Sequence, residues 1–493
     1  MRRLLRDQEF ARGLGERRGM TRVLEFGPAD AAESSSRPRS PSDERALTRA
    51  RRVMADAFGA PAERGFAVRY WTGDEEPAPP VLDRGFRLVI RSPDALRRML
   101  LPPSELAFAE AFISGDVDVE GDLLAAVELG ASFPARFHSI ARMIHLTRQA
   151  LGLPRARRPG GRAMRARART RGGFDDRDRA ASAIRHHYDV GNDFYALWLD
   201  PERVYSCAYF AAPDQSLEEA QYAKLDLICR KLHLAPGERL LDIGCGWGGL
   251  IRHAVRYYGV EALGVTLSQA QADYAQERIE REGLGDRCRV EIRDYRDLHR
   301  EGPFDKVASV GMFQHVGRAR MPSYFRTVFD LTRPGGLFLN HGIVDLEQAR
   351  DRSFGSRVRG WLWREDEFID RYVFPDGEFV SLAYASGLAE KAGFETRDVG
   401  NLREHYALTL AHWVRRLEAH EAEAIRLVGE TTYRIWRLYL TAAEQSFRCG
   451  RASIVQMVLA RRDGSGQCVP PLTRERHPHL RIVRSAASCS IAG

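Results

Sequence analysis

The chain has 493 residues, 44 % of them hydrophobic, with a formal net charge of +8 and a pI of about 9.2. That length is too great for one ordinary domain, and the apolar content excludes a wholly disordered chain. The seven Cys, at 207, 229, 245, 288, 449, 468 and 489, lack CxxC or zinc spacing and read as reduced thiols of a cytoplasmic protein, and no apolar run is long enough to span a membrane.

In chain order, residues 1–45 are rich in Arg, Ser, Pro and Asp, cannot bury enough apolar surface to fold alone, and read as a disordered tail. The first residues carry no secretory signal, and Met20 and Met54 are alternative starts. Residues 46–150 read as a small α+β domain. FAVRYW and FRLVIR are strands around the loop DEEPAPP, and DVDVEG is a strand or turn. SPDALRRMLL, PSELAFAEAFISG and GDLLAAVELGASF are helices. Residues 151–180 form a basic linker in which 155–171 hold eight Arg and no acid, as many charges as the whole formal net charge. Such a run is a solvated tether or a segment drawn to anionic lipid headgroups at roughly 1 kcal/mol per basic residue. No aromatic residues interleave with it, so no nucleic-acid partner is expected.

Residues 181–462 alternate helix and strand. RLLDIGC, VEALGVTL, RVEIRDY, FDKVASVGM and GLFLNHGI are short apolar strands, with helices such as LSQAQADYAQERIEREG between them. The pattern predicts a doubly wound, Rossmann-like α/β domain with a mostly parallel sheet. Residues 463–493 return to polar sequence and read as a disordered tail.

Residues 240–249, LLDIGCGWGG, place Asp242 at the end of a strand and three glycines, 244, 246 and 248, in the turn to a helix. Glycines there let the backbone turn sharply and let a ligand approach main-chain N–H groups. The order D-x-G-x-G-x-G lacks the last spacing of the dinucleotide fingerprint and resembles the first motif of class I S-adenosylmethionine-dependent methyltransferases. The second strand ends without the acid that usually holds a ribose; Thr266 stands there and Gln271 follows one helical turn on. Both can bond hydroxyls without charge, while Thr266 or Ser268 can equally cap the helix.

The chain as a whole resembles the cyclopropane-fatty-acyl-phospholipid synthase family, kin to the mycolic acid cyclopropane synthases. The resemblance rests on IRHHYDVGNDFYALWLD (184–200), VYSCAYF (204–210), LDIGCGWGG (241–249), GVTLSQAQ (264–271), RDYRDL (293–298), VGMFQHVG (310–317), FLNHGI (338–343), FIDRYVFPDGE (368–378) and HYALTLAHW (405–413), in that order. It implies that Tyr205 and Ser206 hold the methionine end of S-adenosylmethionine, that Gly244 and Gly246 form its glycine loop, that Thr266 and Gln271 contact the ribose, and that Asp294 with Tyr295 lies at the adenine. Cys207, His341, Ile343 and Tyr406 match active-site residues that surround a bicarbonate ion. One position departs from the resemblance: the family motif reads MFEHVG, and Gln314 replaces its Glu.

An alkene is a poor nucleophile, and a sulfonium methyl is a strong electrophile. Its attack leaves positive charge on carbon, so the site must exclude water, offer electron-rich surface and supply a base for the proton lost on ring closure. Cys207 has no base paired with it in sequence, and alkene methylation needs no covalent enzyme intermediate. The expectation is therefore a cyclopropane-forming synthase acting on the cis double bond of an unsaturated phospholipid, peripheral at the inner membrane face, without metal, and compatible with a homodimer. The alternatives are a lipid methyltransferase giving a methyl-branched or methylene product because of Gln314, and a catalytically silent lipid-binding homologue. Residues 368–394 are expected to cap the acyl tunnel, and Trp413, Tyr433, Trp436 and Tyr439 to be core residues or tunnel wall.

Overall fold

The structure is a computed structural model that describes residues 40–101, 104–136, 140–155, 190–346, 372 and 379–466, with 131–136 and 140–143 as backbone alone. The expected tails, except 40–45 and 463–466, and the linker from 156 onward lie outside the described residues.

The first helix among the described residues, α1 (Pro41–Phe58), starts inside the stretch expected to be a tail, and so corrects that boundary. Ser40 caps it by accepting from the Asp43 N–H, and Ala46, Leu47, Ala50, Val53, Met54 and Ala57 form its buried stripe. Strands β1 (Ala67–Arg69), β2 (Glu75–Glu76), β3 (Phe86–Ile90) and β4 (Val117–Gly121) pair in the order β2-β1-β3-β4. The short β2 falls within the expected loop. Helices α2 (Pro93–Met99), α3 (Glu105–Ile113), α4 (Leu123–Arg136) and α5 (Ile140–Leu151) complete this part, α2 and α3 being capped by Ser92 and Ser104.

After α6 (Asn192–Ala196) and α7 (Leu217–Lys231), the doubly wound part runs through β5 (Arg239–Ile243), α8 (Gly249–Tyr258), β6 (Glu261–Thr266), α9 (Gln269–Arg281), β7 (Cys288–Ile292), β8 (Phe304–Val310), α10 (Met321–Leu331) and β9 (Thr332–Asp345). Next come α11 (Leu382–Ala392), β10 (Phe394–Asn401), helices α12 (Arg403–Ala419), α13 (Glu421–Val428) and α14 (Glu430–Arg448), and β11 (Ala452–Arg461). Among the described residues the sheet has seven strands in the order β10-β11-β9-β8-β5-β6-β7. Strands β5 to β9 are parallel to one another, and β11 runs antiparallel to both β9 and β10.

Alternation along the strands splits the core. Leu241, Ile243 and Val265 pack with Tyr324, Phe325 and Val328 of α10, whereas Leu240 and Ala262 pack with Ile228 of α7 and Ile251 of α8. Chain order reverses between β5 and β8, which opens a crevice at their carboxyl ends. Helix α11, the described end of the segment expected to cap an acyl tunnel, instead buries Ala385, Ala389 and Ala392 in the core beside α10; residues 368–371 and 373–378 lie outside the described residues. Trp413, Tyr433, Trp436 and Tyr439 are all buried in one core shared with α1, α3 and β3.

Candidate active site

The crevice at the switch point is a cleft, and its lining includes Tyr205, Ser206, Asp242, Gly244, Gly246, Thr266, Gln271, Asp294 and Tyr295. All nine residues expected at the cofactor thus meet at one place. Local chemistry explains the placement. Gly244, Gly246 and Gly248 have φ of +80°, +54° and +79°, a region that L side chains rarely adopt, so the chain turns from β5 into α8 within a few residues. A Cβ on Gly244 would come within 3.0 Å of Met312, whereas one on Gly246 would meet only open space in the cleft.

Past β6, Ser268 caps α9 by accepting from the Gln271 N–H. That leaves the Thr266 hydroxyl to donate to Gln271 Oε1 at 2.8 Å, which fixes the carboxamide with its NH2 still to give. Asp294 accepts from the Arg296 N–H and its guanidinium, each at 2.9 Å, so its carboxylate is already tied into the turn. Burial pushes the Tyr295 phenol up to about 12, keeping the ring neutral.

Two buried groups of opposite charge face this cleft. Asp242 is buried, its Oδ1 has no hydrogen-bond partner among the described residues, and burial pushes its carboxyl up to about 7 against the pull of the Lys224 ammonium. Lys224, on α7, donates to Ser206 Oγ at 2.9 Å, and burial pulls it down to about 8 against Asp200 and Asp242. The motifs in the sequence do not single out Lys224. The signal that could have found it is a Gln221 and a Lys224 interrupting an apolar stripe of Leu217, Ala220, Leu225 and Ile228.

The five residues expected at the reacting centre lie beside the cleft rather than in its lining. Cys207 follows Ser206, is fully buried, and donates to the Ala208 carbonyl at 3.2 Å. Burial pushes its thiol up, so no thiolate is available at neutral pH. His341 lies within β9 rather than at its end, but it pairs with Val310, the last residue of β8, and so still reaches the carboxyl edge of the sheet. Burial holds its imidazole neutral, well below the usual range, and Lys224 and Lys231 push the same way. Across the antiparallel pair stands Gln456, whose Nε2 faces His341 Nδ1 at 3.4 Å, while His341 Nε2 has no partner among the described residues. A donor at Nδ1 leaves the ring proton on Nε2.

Ile343, two residues on, shares the His341 face and packs in the same core as Cys207 and Tyr406. Gln314 follows β8, and its Nε2 donates to the Gly311 carbonyl at 2.8 Å; the Gly311 N–H in turn donates to the His341 carbonyl at 2.9 Å. Its Oε1 is buried without a partner among the described residues, so Gln314 offers an acceptor, with one of its two N–H donors engaged at Gly311. Tyr205, in the cleft wall, contacts Trp413 and Trp198 at ring separations of 5.2 and 5.4 Å, and Trp413 contacts Tyr406 at 6.0 Å. A continuous aromatic cluster, buried at Trp198 and Trp413, therefore runs from the cleft wall to Tyr406.

The profile of the mycolic acid cyclopropane synthetase family matches residues 175–457. Among curated proteins, "Probable fatty acid methyltransferase" of Pseudomonas putida is 39 % identical over 411 residues, 83 % of this chain and 95 % of its own length. "Cyclopropane mycolic acid synthase MmaA2" of Mycobacterium tuberculosis is 36 % identical over 278 residues, 56 % of this chain and 96 % of its own. The solved structure of the cyclopropane synthase MmaA2 superposes with a TM-score of 0.53 at 35 % identity, covering 57 % of this chain and 98 % of that one. The same figures hold for mycolic acid cyclopropane synthase CmaA1 complexed with SAH and CTAB.

Proposed function

The chain belongs to the mycolic acid cyclopropane synthetase family of S-adenosylmethionine-dependent methyltransferases, and from that premise we propose that it converts the cis double bond of an unsaturated phospholipid acyl chain into a cyclopropane ring. The observation that carries the reading is the pairing of a glycine-turned cleft, whose Asp242 has an unmet carboxylate oxygen, with neutral, buried His341, whose strand partner Val310 lines that cleft.

The residues fit S-adenosylmethionine: Asp242 suits the donor's ammonium, the Gln271 NH2 its ribose and the turn after β7 its adenine. When bound, the sulfonium supplies an electrophilic methyl group to the alkene. Tyr205, in the cleft wall and backed by the buried Trp198 and Trp413, offers an electron-rich ring to the positive charge that develops on carbon. Their packing also keeps out water, which would trap the cation. A small oxyanion bearing one hydroxyl, as bicarbonate does, suits the unmet groups of two residues linked through Gly311: His341 Nε2–H can donate to it and Gln314 Oε1 can accept from it. His341, held neutral and weakly basic, orients such a base rather than taking the proton itself.

A second reading, a methyl-branched or methylene product, is favoured by Gln314 alone, since a neutral acceptor holds the base less firmly than a carboxylate. Mass spectrometry of lipids from cells expressing the chain separates the two. A ring adds one CH2 to the acyl chain and resists hydrogenation. A methylene or unsaturated methyl-branched product, formed when the proton is lost elsewhere, also adds one CH2 but takes up hydrogen. Absence of any methyl incorporation would overturn both.

A further inference from the structure

Lys224 is a buried cation in the wall of the cleft, and neither the family motifs nor the chemistry above uses it. Its helical neighbour Gln221 braces the backbone nearby. The Gln221 Nε2 donates to the carbonyls of Val204 and Ser206 at 3.1 and 2.9 Å, which holds the segment carrying Tyr205. Lys224 has one hydrogen bond among the described residues, to Ser206 Oγ, although an ammonium has three donors. The two acids that act on it differ. Asp200 is already satisfied, accepting from the N–H groups of Glu202 at 3.0 Å and Val204 at 2.9 Å. Asp242 keeps an unmet oxygen. One wall therefore holds a cation and an anion, both buried and both with unmet hydrogen-bonding capacity. Burying such groups is costly unless a partner completes them. A ligand end with a single charge completes one and repels the other, whereas an α-amino-acid zwitterion completes both.

We propose that Lys224, with Ser206, binds the α-carboxylate of S-adenosylmethionine while Asp242 binds its α-ammonium, so that this pair reads the zwitterionic end of the donor. The proposal rests on the donor assignment above and names a contact that assignment does not require.

Calorimetry with three ligands tests it on the full chain. S-adenosylhomocysteine carries the zwitterion, S-adenosyl-3-thiopropylamine lacks only the carboxylate, and 5′-methylthioadenosine lacks the whole amino-acid end. Lys224→Met should weaken S-adenosylhomocysteine at least roughly tenfold, as loss of a charge-assisted bond would, and leave 5′-methylthioadenosine within about twofold. On the unaltered protein the thiopropylamine should bind about as weakly as S-adenosylhomocysteine binds the variant, and its deficit against S-adenosylhomocysteine on that same protein can be read even if the variant does not fold. Equal affinity of the unaltered protein for S-adenosylhomocysteine and the thiopropylamine would overturn the proposal. So would a parallel loss of S-adenosylhomocysteine and 5′-methylthioadenosine in Lys224→Met, the signature of a residue that only braces Ser206. Failure of the unaltered protein to bind any of the three would overturn the donor assignment itself and the proposal with it.

Discussion

At position 314, where the resemblance implies a carboxylate, stands a carboxamide whose geometry is constrained. Its NH2 must point at the Gly311 carbonyl, because the reversed amide would set oxygen against oxygen. The side chain therefore presents one neutral acceptor, whereas a Glu would have to turn both oxygens clear of the Gly311 carbonyl to present a charged one. Gln314→Glu should preserve methyl transfer and give equal or higher ring yield, read as the ratio of ring to unsaturated or branched product by lipid mass spectrometry. Loss of all methyl transfer would show that the carboxamide has chemistry of its own. Residue types and spacing exposed Asp242, the glycines, Thr266 and Gln271, since each has a local chemical reason to be there. Lys224 and Gln456 were less legible. A polar side chain on an apolar stripe, or one strand away from His341, acquires meaning only when the partner element is in place.

Elements whose signal is local were readable, and those whose signal depends on neighbours were not. Strands β5 to β9 are apolar runs between turn residues. Strand β10, FETRDVGN, lies at the sheet edge with much of its length partly exposed and carries little apolar signal. Strand β11, ASIVQMVLAR, is buried along nearly all its length, and a continuous apolar run after long helices has no period that separates strand from helix. Helix α1 hides its stripe among charges because half of the stripe is alanine. Helix α14 carries a testable electrostatic feature. Burial pushes the Glu444 carboxyl from 4.5 up to about 7, with Arg448 opposing. A raised carboxyl gives its full stabilisation below its unfolded pKa and loses it as pH rises through the folded value. Glu444→Gln should therefore gain stability relative to the parent as pH rises from about 5 to about 8, on the order of 2 kcal/mol, in denaturant titrations. The same difference at both pH values would contradict the raised pKa.

Over the whole molecule, the part expected as a separate small domain shares a continuous core with α12 and α14. Arg434 of α14 reinforces the join, reaching Asp118 Oδ2 at 3.0 Å and the Phe112 carbonyl at 3.1 Å. The Arg-rich run begins just after α5, on which Ile144 and Leu151 are exposed. Apolar side chains beside a cationic run suit an anionic bilayer surface. Replacing the eight Arg of 155–171 with Ser should weaken binding to anionic vesicles and flatten its salt dependence in flotation assays, with neutral vesicles unaffected. Unchanged binding would leave the run as a tether. No helix among the described residues is long and apolar enough to cross a membrane. The sequence by itself determined the alternating α/β order and the glycine turn, because strand period, turn chemistry and glycine requirements act over a few neighbouring residues, and its resemblance pointed to the family and to nine residues that line one cleft. Only the tertiary structure decided that Lys224 faces Ser206, that Gln456 stands across from His341, and that Gln314 turns its oxygen rather than its nitrogen outward. Those facts depend on burial and on contacts between residues up to more than a hundred positions apart, which no local pattern encodes.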